Sequence, residues 1–304
     1  MDGDLASLLA AGERAVFHGS PATAVADLER AVMLAQREGR RAEVTAAAWL
    51  LGVALSASGR YGGGLRVLAP LLDPTGPATG TPETRLFAAL AAATAASVHR
   101  GLGRHEAARE LDARGAALAE GSAEALFDCT LGLASDAVGL GDAAQARSQL
   151  DAAEELVAPH ADDWWRQRVR FDWARAELAL LVDEPGEAVT AAAGSVERAE
   201  RARAPRHVAK GLLFQGVAEL QAGVPEALAT LRRAATLADG VGALPVVWQA
   251  RALLGALLAG AAGDEGARSL AAARSAVLAI AGDLPPELRE EWLARPNVSA
   301  LLEG

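Results

Sequence analysis

The chain has 304 residues, 51 % of them hydrophobic and only 4 % aromatic, with a formal net charge of −10. Ala takes 75 positions, while Lys and Asn occur once each, as Lys210 and Asn297. This composition excludes a β-sandwich or barrel, which needs β-branched and aromatic residues. It is also wrong for a disordered chain, and 29 basic against 39 acidic residues leave no broad nucleic-acid footprint.

The start, Met1-Asp2-Gly3-Asp4, is acidic and lacks the positive end of a secretory signal. The longest uncharged apolar stretches, Leu86–Val98 and Ala252–Gly263, fall short of the roughly 20 residues a membrane span needs. A cytoplasmic location is therefore expected. Cys129, the one thiol, lies in an apolar run and reads as a buried structural residue.

Along the chain a helical run, a short Gly/Asp/Pro turn and a second helical run recur. The turns include Gly19-Ser20-Pro21, Gly59-Arg60-Tyr61-Gly62, Gly103-Arg104-His105-Glu106 and Gly263-Asp264-Glu265-Gly266. The small residue after each turn falls at Ala24, Gly64, Ala108, Ala146, Ala188, Ala227 and Ala267, a period of about 40. The expected units are 3–40, 41–80, 81–121, 122–161, 162–204, 205–243 and 244–283. In the first, Leu5, Leu8, Leu9, Gly12 and Val16 line one helix face, then Ala24, Leu28, Ala31 and Ala35 the next.

Ser20, Thr81 and Ser122 are expected to cap helices, and proline to stand only at junctions. Asp162-Asp163 beside His160 reads as a loop with an acidic cap for the next helix, not as a metal site. Residues 284–304 break the period and are expected to form a capping helix around Trp292 and Leu293.

The pairs Gly12/Ala24, Gly52/Gly64, Ala96/Ala108, Ala134/Ala146, Ala176/Ala188 and Gly255/Ala267 keep one offset of twelve, with Leu-Gly at 51–52 and 254–255. On these residues the chain resembles the tetratricopeptide-repeat family over about 3–282. The period is longer than that family's 34, and its Trp and Tyr positions are mostly small or aliphatic here. The resemblance implies an all-α, right-handed α-α superhelix of about seven helical hairpins plus a C-terminal capping helix. The tail also resembles the segment closing such arrays in large bacterial regulatory proteins.

No catalytic constellation is read. The five histidines are scattered, with His18 and His105 taken as surface turn residues. Gly139-Leu140-Gly141-Asp142 follows a helix instead of a strand and has no dinucleotide cradle. The densest signal is 164–175, with three of six Trp and four Arg. The resemblance puts first helices on the concave groove, and its offsets give Arg170, Trp173 and Glu177, joined by Trp49, Asp128, Leu131, Arg100, Lys210, Leu213 and Gln249. Trp164 and Trp165 fit the groove or the core equally well. The mixed run 197–207 reads as a solvated helix end. The family's chaperone-binding carboxylate clamp, which relies on Asn and several Lys, is not expected.

The expected function is a non-catalytic interaction or ligand-sensing module of a bacterial regulatory system, binding a peptide or partner protein in its groove. The alternatives are a small-molecule sensor and an enzyme. No cofactor, metal, nucleic acid or membrane is implied, and a homodimer is compatible with each reading.

Overall fold

The computed structural model describes residues 4–73, 81–119, 121–160, 163–260 and 263–303. Its first four hairpins are α1 (Leu5–His18) with α2 (Pro21–Arg37), α3 (Arg41–Ala57) with α4 (Tyr61–Leu72), α5 (Pro82–Gly101) with α6 (His105–Leu118), and α7 (Ala123–Gly139) with α8 (Ala143–Val157). The other three are α9 (Trp165–Leu181) with α10 (Pro185–Arg201), α11 (Pro205–Gln221) with α12 (Ala227–Val241), and α13 (Leu244–Leu257) with α14 (Glu265–Asp283). Two short helices follow, α15 (Pro286–Leu293) and α16 (Pro296–Glu303), where a single capping helix was expected. No strand occurs among the described residues. The fold is a tetratricopeptide-like α-solenoid.

Every hairpin turn but the first, where Gly19 is extended, carries a left-handed residue just after its first helix. At Gly59 (φ 83°) the amide donates to the Ser56 carbonyl at 3.1 Å and that of Arg60 to the Leu55 carbonyl at 2.8 Å, using two carbonyls the helix leaves open. Asp183 (φ 59°) and Arg203 (φ 52°) hold the same conformation with a side chain, at a cost of about 1 kcal/mol each.

The repeated small residues are points of contact between paired helices. A Cβ at Gly12, Gly52, Gly216 or Gly255 would overlap Leu28, Leu68, Leu231 or Leu270 on the partner helix. The seventh unit departs from the expected register: Ala267 is exposed and Gly266 is the buried residue. The offset there is eleven, as in Gly216/Ala227, so the last two hairpins share a register one residue shorter.

Local chemistry differs from expectation in three more places. Thr81 and Ser122 do cap their helices, Thr81 in a reciprocal pair with Thr84. Ser20 makes no cap, and its hydroxyl donates instead to the Val241 carbonyl at 2.9 Å. Pro70 stands inside α4, two residues before its end, and supplies no amide for the bond back to the Arg66 carbonyl. The residue capping α9 is Trp164 and not an acid, and Asp162 lies outside the described residues.

The solenoid touches itself after one superhelical turn. His18 Nδ1 meets the carbonyl of Ala202, at the end of the fifth hairpin, at 2.9 Å, and the Ser20 bond to Val241 seats the first hairpin on the sixth as well. The Gly63 amide donates to Asp283 at 2.8 Å, bringing the second hairpin to the seventh. Arg104 pairs with Glu291 of α15 at 3.1 Å, joining the third to the cap. Missing side chains make this approach possible. A Cβ at Gly62 would overlap the Asp283 carbonyl oxygen, and one at Gly59 would stand 2.9 Å from Leu244 Cβ. The concave face is thereby folded into an axial cavity where an open groove was expected.

Candidate functional site

The cavity measures about 720 Å³ and is walled by first helices of the hairpins, α3, α5, α7, α9, α11 and α13, with a contribution from the cap. First helices supply most of the wall, and Tyr61 and His105 reach it from the starts of the second helices α4 and α6. Its apolar wall includes Trp49, Trp173, Leu213, Phe214, Val246 and Trp248. Solvent reaches it past the exposed residues Ser97, Gln249 and Asn297.

Of the residues read from the sequence, Arg170, Trp173, Glu177, Trp49, Asp128, Lys210, Arg100, Leu213 and Gln249 all line this one space. Leu131 is buried among α7, α8 and α9 and does not. Neither do Trp164 and Trp165. Trp164 stacks on His160 at 4.0 Å and meets Phe127 edge-on, filling space between the fourth and fifth hairpins. Trp165 lies between His18 at 5.3 Å and His207 at 5.2 Å, so it packs where successive turns meet.

Sequence reasoning passed over Arg166, Arg206, His207, Tyr61, Trp248 and Arg295 on the same wall. Arg206 and His207 belong to the run expected to be solvated; Arg198 and Arg201 of that run do form outer ion pairs with Asp172 and Glu197. Pro205 separates the two behaviours: it opens α11, and the residues that directly follow it, Arg206 and His207, face inward. His105 also departs from a surface role. It lines the cavity 3.5 Å from the buried Asp136, in space left by Gly139.

Most of the charge in the wall is paired. Asp128 receives both Arg170 and Arg166, the latter at 3.4 Å, and Arg166 also reaches Glu124 at 2.8 Å. Arg100 lies 2.7 Å from Asp136 and 3.2 Å from Asp112, and donates to the Gly132 carbonyl at 2.9 Å. Both carboxylates behind it are fully buried. Burial pushes the Asp112 carboxyl well above the usual carboxylate range against the pull of Arg100, with Asp136 adding repulsion. Glu177 accepts from Ser135 at 3.1 Å.

One edge of α11 is different. No carboxylate among the described residues lies within ion-pair distance of Arg206 or Lys210. Lys210 Nζ sits 4.6 Å from the Trp173 ring centre and 5.5 Å from that of Phe214. Burial lowers its ammonium to about 8; Arg206, Arg170 and Arg100 push the same way, and Glu177 opposes them. Burial, then Arg170 and Arg166, brings Arg206 down to about 10. His207 is held neutral by burial and by the same surrounding cations.

No family model matches the chain, and no curated protein matches it in sequence. Among solved structures it is similar to a Rap protein complexed with competence and sporulation factor, with a TM-score of 0.64 and 11 % identity. The match covers 98 % of this chain and 80 % of that one. At this identity the likeness speaks for the fold.

Proposed function

We propose that the chain is a non-catalytic binding module of a regulatory system whose ligand sits in the axial cavity, and that this ligand is a short peptide. The observation that carries the reading is the cavity: one space of about 720 Å³ where the first helices of six hairpins meet, with Trp and Arg prominent in its wall. Spaces of roughly 300–1,000 Å³ with apolar walls and a few oriented polar groups enclose ligands of drug size. A peptide of a few residues fits that scale, and a folded partner domain does not. The similar solved structure, a complex of Rap protein with competence and sporulation factor, supports a binding role for the fold. A small-molecule sensor is the second reading, favoured by the same enclosed volume.

Ligand sensing would follow from the closed turn. A ligand touching α3 and α5 on one side and α11 and α13 on the other strengthens the contacts holding the turns together. The population of closed solenoids then rises with ligand.

The test uses a defined pool of tri- to pentapeptides and a variant with the cavity filled. At hundredfold excess over Kd a peptide stabilises the chain by about 2.7 kcal/mol, a shift of several degrees in Tm. Ser97→Trp, at an exposed position of the wall, is expected to fold normally and lose that shift. An equal shift in both proteins would put the binding elsewhere and overturn the proposal.

A further inference from the structure

We propose that the Arg206–Lys210 edge of α11 is an anion subsite, which seats the carboxylate or phosphate of a ligand whose apolar body lies on Trp173, Phe214 and Trp248. It rests on the axial cavity being the ligand site. Four independent observations support it.

The first is the charge pairing around the wall. Arg166 and Arg170 are matched by Asp128 and Glu124, and Arg100 by Asp112 and Asp136. Glu177 is the one acid acting on Lys210, and it is bonded to Ser135, while Arg206 feels burial and the neighbouring cations Arg170 and Arg166. Among the described residues the cavity cations outside an ion pair are therefore these two and Arg295, which lies over Trp292 in the cap, in a protein of net charge −10.

Second, hydrogen-bond donors there have nothing to give to. Arg206 Nε and Trp173 Nε1 are buried and without an acceptor, and the fully buried His207 has an unpartnered Nδ1. Nη2 of Arg206 has only the other imidazole nitrogen of His207, at 3.3 Å. Buried donors are rarely left orphaned, so an acceptor supplied from outside the chain completes the corner.

The third observation is position along α11. Arg206 follows Pro205 in the first turn, the end of a helix that favours negative charge. A buried cation there works against stability, and an arriving anion relieves both the cation and the helix end.

The fourth is the surface beside the cations. Lys210 lies over the faces of Trp173 and Phe214, and the neutral His207 ring stacks on Trp173 at 5.6 Å with planes 16° apart. Cation and aromatic shelf are therefore within one ligand's reach, the pairing that an aromatic or aliphatic acid would use.

The probe is 8-anilinonaphthalene-1-sulfonate, an aromatic anion, compared with uncharged N-phenyl-1-naphthylamine on the full chain. Arg206→Gln and Lys210→Met are each expected to weaken the sulfonate about tenfold and to leave the uncharged dye within twofold. Lys210→Arg, which keeps the charge, should retain most of the affinity, and circular dichroism checks that each variant is folded. If both dyes bind and the variants affect them alike, the anion subsite is wrong while the cavity reading stands. If neither dye binds the folded wild-type protein, both are wrong. Competition then separates the sources: benzoate, phenyl phosphate, and a short peptide with a free or an amidated C-terminus. Displacement by the acids and by the free peptide, but not by the amide, supports the assignment; equal displacement by the amide overturns it.

Discussion

Replacing Arg100 with methionine is expected to destabilise the chain by about 3–5 kcal/mol. Two fully buried carboxylates, Asp112 and Asp136, share its guanidinium, and the Gly132 carbonyl takes a third contact. Methionine fills much of the volume but leaves Asp112 without its ion pair and Asp136 with only His105, 3.5 Å away. The stem of Arg100 also lines the cavity, so the loss is transmitted to the site. Its sign against pH identifies the cause. Burial already holds the Asp112 carboxyl above its unfolded value and losing Arg100 raises it further, so the unfolded chain gives up that proton first as pH rises. The deficit relative to wild type is then largest near pH 8 and shrinks toward pH 5, as protonation neutralises Asp112. Thermal melts of both proteins across that range check it. A second change, Asp112→Asn in the variant, should recover part of the stability. A deficit independent of pH would mean lost packing, not unpaired charge.

Trp292→Ala is expected to cost about 3–5 kcal/mol as well, through a cavity at the end of the array. Trp292 of α15 is 1 % exposed and meets Trp248 edge-on at 5.6 Å. It belongs to the largest apolar cluster, which runs from α9 through α14 into the cap. Because Trp248 also forms part of the cavity wall, the variant should bind cavity ligands more weakly even where it remains folded. Urea titration gives the stability loss, and dye binding below the transition gives the functional loss. If stability falls while binding stays unchanged, Trp248 is positioned by the rest of its hairpin and not by the cap.

The hairpins were legible because each small residue serves a contact within its own unit. Gly12 against Leu28 and Gly52 against Leu68 are sequence-local, so a period of about 40 carries them. The inward face of the first helices came from the offsets that the tetratricopeptide resemblance implies, and Arg170, Trp173, Glu177, Trp49, Asp128 and Lys210 lie around one space. Closure of the turn was not. Ser20 with Val241 and Gly63 with Asp283 are contacts between residues more than two hundred positions apart, and no local spacing encodes them. Ser20 looked like a helix cap because a serine before proline has the same letters whichever acceptor it finds. The run Tyr61-Gly62-Gly63-Gly64 was the available signal: three consecutive glycines at the start of a helix are unfavourable unless another segment must come close. Arg206 escaped notice because it ends a charged run whose earlier members face solvent.

Lys210 has a consequence beyond ligand chemistry. A protease that cleaves only after lysine finds one scissile bond in the whole chain, Lys210–Gly211, in the middle of α11 and behind the closed turn. The folded protein should withstand such an enzyme, and each cut should count one opening event wide enough to unwind that helix. The chain thus contains its own single-hit reporter of opening. A ligand that clamps the solenoid would lengthen the lifetime of the uncut protein without any label being attached.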